Sequence, residues 1–449
     1  MGPRLFSAKQ IRRALGVIRH RQSVTTAGAG PPKASKKRAA VHPAGVIETL
    51  QSPRQPPWPI LSHAPTRNSW PPCAPSPTTW PRCPIRATGG GVRHPLPVLL
   101  ATLLVALAGG ANSMAAVAAF THDHRAWFRL WLPLGNTTPS RDTYLRLVRR
   151  LDPETAVKAA LWLLDGTRLP GLEELVLALD GKVARRSGDR AAGLRPLHMV
   201  SAFLVREGLT LAQEPCDAKS NEIAALPRLL DRIHLQGAVV TIGAAGCQTA
   251  IVQALQADDA DYVLALKRNQ GTLHREVKAA FDEADRSAFT PEVEDRCETV
   301  ERNGGRRERR TCTVLGGPGL CEWVADAQAW PGLHSLVRVQ VERTGPRGRR
   351  QRSVRYYISS RPPQAEALLA LVRGHWGVEN GLHRTLDMQF WEDDCRMRTG
   401  NAPTVMGILR RTALNMIRTI QRKLETDVSI GLLRDRIGRQ PWILAAALP

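Results

Sequence analysis

The chain has 449 residues, 43% hydrophobic and 23% charged, with 63 Lys+Arg against 40 Asp+Glu and a formal net charge of +23. That composition excludes a chain disordered throughout and allows two or three domains with a sizeable buried core. Such an excess of base points to a polyanionic partner, of which nucleic acid is the commonest.

The charge is uneven. Residues 1–100 hold 15 Lys/Arg, a single acid (Glu48) and 17 of the 33 prolines, so +14 of the +23 lies there and +9 is left for the other 349 residues. Stretches such as QPPWP (55–59) and WPPCAPSP (70–77) show no hydrophobic period and lack the backbone donors that regular structure needs. Residues 1–88 are therefore expected to be a disordered Pro/Arg-rich lead. The first 30 residues carry no apolar core of a signal peptide. Eight cysteines are scattered without a C-x-x-C pair, which suits a reducing cytosol better than a disulfide framework or zinc finger.

A helical module is expected next. LPVLLATLLVALAGGA (96–111) is uncharged over sixteen residues. A membrane span wants about 20, so the run reads as a core helix stopped by Gly109-Gly110, with a membrane anchor as the lesser reading. SMAAVAAF (113–120) follows as a second helix capped by Ser113. TTPSRDTYLRLVRRL (137–151) offers Thr138 as N-cap, Pro139 at the first helical position and Asp142 in the first turn. Its Leu145, Val148 and Leu151 share one face, while Arg141, Arg146, Arg149 and Arg150 project elsewhere. Short helices ending in an arginine-bearing one resemble a helix-turn-helix DNA reader. The alternative is the wet side of an amphipathic helix.

Strands follow: LVLALD (175–180), then HMVSAFLV (198–205) and LTLAQE (209–214) across the turn Arg206-Glu207-Gly208. A helix over 222–234, strand GAVVTI (237–242), a helix over 248–256 and strand DYVLALK (261–267) come next. The order implies a mixed five-stranded sheet with an antiparallel hairpin on one edge and helices packed on it. Three alternating strands at 310–317, 335–343 and 353–360 make a β insertion over about 296–361, with a basic hairpin tip at 344–352 and a basic cluster at Arg306, Arg307, Arg309 and Arg310. Helix is expected again over 364–389 and 402–424.

Two features could carry chemistry. Asp180 closes the strand LVLALD, where a rigidly held carboxylate suits a hard divalent cation; a lone Asp there also serves as an ordinary turn former. His375, Glu379, His383 and Asp387 recur every four residues on one helix face. They could ligate metal or contact phosphate, or form a solvated stripe opposite Leu368, Leu371, Val372 and Trp376. There is no H-E-x-x-H, Walker loop or nucleophile elbow.

Taken together, LALDGKVARRSGD (177–189), HMVSAF (198–203), DAKSNEI (217–223), VVTIGAAGCQ (239–248), DYVLALKRNQ (261–270), RGHWGVENGLH (373–383) and RTGNAP (398–403) resemble, in order, the H-repeat-associated, ISAs-type insertion-sequence transposases of bacteria. GVRHPLPVLLATLLVALAG (91–109) is similar to that family's associated N-terminal domain. The resemblance covers about residues 90–420. It implies a DDE transposase with an RNase H-like core, in which two Asp and one Glu hold Mg²⁺ (or Mn²⁺) for displacement at phosphorus. Carried over residue by residue, Asp180 matches the first Asp and Glu379 the Glu, both as metal ligands, with His375, His383 and Asp387 as auxiliaries. The second Asp should follow GAVVTI, and this chain has Gly243 there.

The organisation so implied is a helical N-terminal domain (89–168), an RNase H-like catalytic domain (169–424) containing the β insertion, and a C-terminal tail (425–449). DNA contacts are assigned to Arg141, Arg146, Arg149, Arg150, Lys182, Lys267, Arg347, Arg349 and Arg350. The expected activity is metal-dependent cleavage of the element's ends and strand transfer into target DNA, impaired by Gly243. The alternative is an inactive remnant that only binds DNA. The implied partners are double-stranded terminal repeats and target DNA, engaged by a homodimer in the bacterial cytoplasm at the nucleoid, with no membrane.

Overall fold

The computed structural model describes residues 93–165, 175–216, 222–233, 235–286, 293–303, 305–317, 320–345 and 348–446. The expected lead at 1–88, Arg347 and most of the DAKSNEI motif lie outside them. The described chain opens with helices α1 (Leu96–Ala108), α2 (Met114–Asp123), the single turn α3 (Arg125–Phe128), α4 (Arg141–Arg150) and α5 (Pro153–Asp165). Every residue from Val98 to Ala108 is buried, which is why the run carries no charge. Each such leucine contributes roughly 1.5–3 kcal/mol by leaving water. Among the described residues no helix is long and apolar enough to cross a membrane. Ser113 caps α2 by accepting from the Ala116 amide. The cap of α4 is Ser140, not Thr138: its hydroxyl accepts from the Thr143 amide, and the helix begins two residues later than expected.

Next come β1 (Leu175–Ala184), β2 (Leu197–Leu204), β3 (Leu209–Pro215), α6 (Glu222–Leu230), β4 (Ala238–Ile242), α7 (Thr249–Ala257), β5 (Asp261–Leu266) and α8 (Gly271–Arg286). Then follow β6 (Val293–Asn303), β7 (Arg306–Gly316), the short α9 (Leu320–Trp323), β8 (Ser335–Thr344) and β9 (Arg350–Ser359). All nine strands form one mixed sheet in the order β3-β2-β1-β4-β5-β9-β8-β7-β6. β1, β4 and β5 run parallel and the remaining pairs antiparallel.

The expectation of a five-stranded sheet with a three-stranded insertion is corrected on two counts. β9 pairs with β5, setting Ser359 opposite Val263, so the insertion lengthens the sheet. It also has a fourth strand, β6, whose residues 295–302 alternate only between half-buried and exposed because it is the outer strand. Its run VEDRCETVERN lacks the apolar alternation by which a strand is read.

The helix expected over 364–389 is three pieces: α10 (Ala365–Gly377), a π-helical stretch (Val378–His383) and α11 (Arg384–Phe390). α12 (Ala402–Lys423) and α13 (Ile430–Arg439) complete the fold. Where the sequence offered only a C-terminal tail, α13 packs on α1: Arg434 donates to the Leu107 carbonyl (2.8 Å) and lies over the Phe390 ring (4.0 Å).

Because side chains alternate across a strand, odd positions of β1 face one side and even positions the other. Leu175, Leu177 and Leu179 pack with Leu226, Leu229, Ile251 and Val277 of α6–α8. Val176 turns to the α10 side, where Leu368 and Val372 cover Val239, Val263 and Val337. Ala178 joins the helical core that includes Val378, Leu382 and Leu414. Asp180 and Lys182 are the next even positions and therefore emerge beneath the α10–α11 segment. A buried ion pair locks that segment: Arg411 of α12 donates to Glu392 (2.8 Å) and to Ser201 of β2 (3.1 Å).

Candidate active site

β1 pairs with β4 only as far as Leu179 opposite Ile242. One step further along that register puts Asp180 opposite Gly243, at the carboxyl ends of parallel strands, where open sheets of this kind form crevices. A Cβ built on Gly243 would lie 4.0 Å from Asp180 Oδ1 and 3.9 Å from His375 Nε2, with nothing nearer. A side chain at 243 would therefore begin beside the Asp180 carboxyl with its Cβ free of close contacts.

The three segments of 365–390 aim their polar residues differently. Thr241 at the end of β4 donates to the Leu177 carbonyl (3.2 Å) and lies 3.0 Å from Nδ1 of His375. That oxygen accepts the Nδ1 proton, leaving the Nε2 lone pair facing the Gly243–Asp180 gap. Burial lowers His375 to about 4, so the ring is neutral. His383 Nδ1 is 3.6 Å from Asp180 Oδ2. Burial first, then the charges of Arg411, Lys182 and His375, push His383 down to about 3, and its buried Nε2 has no hydrogen-bond partner among the described residues.

Asp387 contacts the Lys182 ammonium at 2.7 Å, and Asp393 shares that ammonium at 3.2 Å. Lys182 is only 7% exposed, so its charge is directed inward. Glu379 is exposed on the π-helical turn. The spacing that predicted one continuous stripe thus brings His375, His383 and Asp387 against the sheet and leaves Glu379 on the widened turn, a distortion often found at functional sites.

Asp180 is raised from 3.8 to about 7. Burial is the main cause, the Glu222 charge the next; the Gly181 backbone amide opposes both, and Glu379 adds to the rise. Glu222 and its neighbour His198 are features that sequence reading missed. His198 Nε2 lies 3.0 Å from Glu222 Oε1, and the pair sits directly over Gly181. A Cβ there would be 2.3 Å from Glu222 Oε1 and 2.6 Å from His198 Nε2. The available signal was the glycine after Asp180 together with the acid of SNEI. His198 is raised to about 10, first by its hydrogen bond to the Cys216 thiol and then by Glu222.

Asp180 is half-buried, with the charges of Glu222 and Glu379 raising it and His198, paired with Glu222, opposing them. A carboxylate so placed suits a divalent ion with oxygen ligands. Among the described residues, however, no group of three or more acid, imidazole or thiol side chains is gathered closely enough to hold one. Asp180 lies in the crevice, the Glu379 charge is near enough to raise it, and Gly243 offers no side chain there.

The candidate DNA contacts lie on several surfaces. Arg141, Arg146, Arg149 and Arg150 are all exposed on α4, opposite buried Tyr144 and Val148. Lys267 is exposed after β5, and Arg349 and Arg350 at the β8–β9 tip. The RTGNAP motif is a clasp. Gly400, at φ +56°, approaches the Arg149 carbonyl, Asn401 donates to the carbonyls of Arg149 (3.1 Å) and Leu151 (3.0 Å), and Arg398 pairs with Asp189 (2.6 Å). It ties the end of α4 to the loop after β1.

A family model described as Transposase DDE domain matches residues 163–416, and one described as DDE_Tnp_1-associated matches residues 85–163. The chain is 33% identical over 354 residues to the putative transposase YncI of Escherichia coli O157:H7, covering 77% of this chain and 87% of that protein. It is 32% identical over 330 residues to the H repeat-associated putative transposase YhhI of Escherichia coli K12, covering 73% and 85%. Among solved structures it is similar to the piggyBac transposase synaptic complex with hairpin DNA, at TM-score 0.40 and 11% identity over 79% of this chain and 73% of that one.

Proposed function

The chain belongs to the DDE transposase family, and from that premise we propose that it is an insertion-sequence transposase whose cleavage and joining chemistry is crippled at Gly243. In this reading β3-β2-β1-β4-β5 is an RNase H-like core, and Asp180 and Glu379 would hold Mg²⁺ or Mn²⁺. When bound, such ions activate an attacking water or 3′-hydroxyl and stabilise the charge developing at phosphorus. The chain's own part is to orient. Asp180 is fixed by the sheet, while His375 presents its Nε2 lone pair and His383 its buried ring to the same crevice. The arginines of α4 and the β8–β9 tip supply phosphate contacts on double-stranded DNA, and two protomers would be needed to pair two ends. The site of action would be the cytoplasm, at the nucleoid.

The observation that carries this reading is the open position at Gly243, where an added Cβ would lie 4.0 Å from Asp180 Oδ1. The test is metal-dependent strand cleavage on the element's own terminal repeats by the parent chain and by Gly243→Asp. The variant is expected to exceed the parent by several powers of ten, roughly what loss of one member of a cooperating catalytic set removes. Equal rates would refute it. The same vacancy favours a second reading, a DNA-binding remnant without catalysis, which predicts salt-dependent binding in both proteins and no nicking by the parent.

A further inference from the structure

The two strands that end the sheet bring two thiols together. β6 and β7 are antiparallel, and their register sets Cys297 opposite Cys312. Both are free cysteines, Cys297 half-buried and Cys312 buried, and each side chain is a hydrogen-bond partner of the other. Directly opposed residues of an antiparallel pair hold their Cβ atoms about 4.5–5.5 Å apart, and a disulfide needs about 3.5–4.5 Å. An outer strand, paired on one side only, closes that difference by a small shift. Among the described residues no other two cysteines face each other across a strand pair.

The face the thiols share is the one that carries α10. Cys312 lies in the cluster with Val314, Val337, Leu368 and Val372, and Cys297 packs against it. Two more residues of β6 hold the same helix. Asp295 accepts from the Ala365 amide at the first residue of α10 (2.7 Å), and Glu301 pairs with Arg373 toward its end. α10 then runs into the π-helical turn that bears Glu379. The strand with the fewest ladder partners is therefore one of the supports of that helix.

We propose that Cys297 and Cys312 form an oxidisable dithiol, which a small disulfide of the glutathione class closes into a cross-strand bond that staples β6 to β7. Cys297 is the more exposed thiol and reacts first: its thiolate attacks one sulfur of the small disulfide, and a thiolate leaves. The Cys312 thiolate then attacks the Cys297 sulfur and releases the second. The two cysteines together lose two electrons and two protons, and the small disulfide is reduced to two thiols. Burial pushes the Cys312 thiol up to about 12 and raises that of Cys297 as well, so the exchange is slow and answers sustained rather than brief oxidation. In a reducing compartment the pair rests as thiols. Neither Gly243 nor a bound metal enters this chemistry.

The test holds the reduced full chain in buffers of rising ratio of oxidised to reduced glutathione until no further change, then alkylates, digests and maps it by mass spectrometry. The expected product is one peptide pair joined through Cys297 and Cys312. The urea midpoint should rise on oxidation and fall back with dithiothreitol, since closing a loop of about 15 residues lowers the unfolding constant roughly a hundredfold. Cys297→Ser, a change at a half-buried edge position, should remove both the link and the shift and leave Cys312 unreacted; Cys312→Ala should remove them too. The maps of the parent and of Cys297→Ser decide the matter even where Cys312→Ala is too unstable to purify. Full alkylation of both cysteines at oxidising ratios, a glutathione adduct that persists on Cys297, or a link from either to another cysteine overturns the dithiol. A Cys297–Cys312 link that leaves the midpoint unmoved overturns the staple.

Discussion

Asp180→Asn is expected to make the protein more stable at pH 8. The Asp180 carboxyl is held at about 7 against an ordinary 3.8, because burial and the charges of Glu222 and Glu379 disfavour its ionised form. A group whose folded pKa is raised leaves stability intact below the unfolded value and removes it as pH climbs to the folded one. The parent should therefore lose stability between about pH 4 and pH 7, then hold level. At 1.36 kcal/mol per unit, the displacement corresponds to an upper bound of about 4 kcal/mol. The side chain is 23% exposed, and solvent screening reduces that to the order of 2 kcal/mol. Denaturant unfolding at pH 4 and pH 8 measures it: the Asp180→Asn variant and the parent should coincide at pH 4, and the variant should lead at pH 8. Added Mn²⁺ should close the gap by stabilising the parent alone. A variant less stable than the parent at pH 8, or an advantage that persists unchanged at pH 4, would refute the account of a site under like-charge strain.

Arg411→Met should cost roughly 3–5 kcal/mol by leaving Glu392 buried and unpaired, seen as a fall in the urea midpoint; Glu392→Gln should cost less, since the amide still accepts from Arg411. Gly181→Ala places a methyl against the ends of Glu222 and His198 and should cost on the order of 1–3 kcal/mol by overpacking; an unchanged midpoint would mean that Glu222 turns out to solvent freely. Replacing Arg149 and Arg150 with alanine should lower the slope of log affinity against log salt by about 2, near one per lost phosphate contact, and an unaltered slope would remove α4 from the DNA surface.

What was legible in the sequence follows from how local the signal is. LVLALD ends a buried strand in a carboxylate, and both halves of that statement are visible in six residues. The pairing of β5 with β9 is not, because Val263 and Ser359 meet only after 95 residues of intervening chain are folded, and no local pattern fixes which edge an added hairpin will extend. The π-helical turn was hidden for another reason: His375, Glu379, His383 and Asp387 have a perfect four-residue spacing, and only packing of Val378 and Leu382 into the core shows that the turn between them is widened. RTGNAP carries no local sign of its role, since its clasp joins residues more than two hundred positions apart.

Packing and electrostatics meet at Gly243. The position is free of contacts within 3.9 Å of a Cβ, so a carboxylate there contributes nothing to packing and places a third like charge beside a carboxyl already held at about 7. Glycine at 243 therefore relieves electrostatic strain while leaving β4, the turn after it and the helix α7 undisturbed. A chain can lose this group and keep its fold, its buried Arg411–Glu392 pair and its exposed arginines intact. Stability and chemistry are opposed at this one residue, and so Gly243→Asp should raise metal-dependent cleavage while lowering the metal-free unfolding midpoint at pH 8; a variant that gains activity with no loss of metal-free stability would show that the crevice is better screened than its buried carboxyl implies.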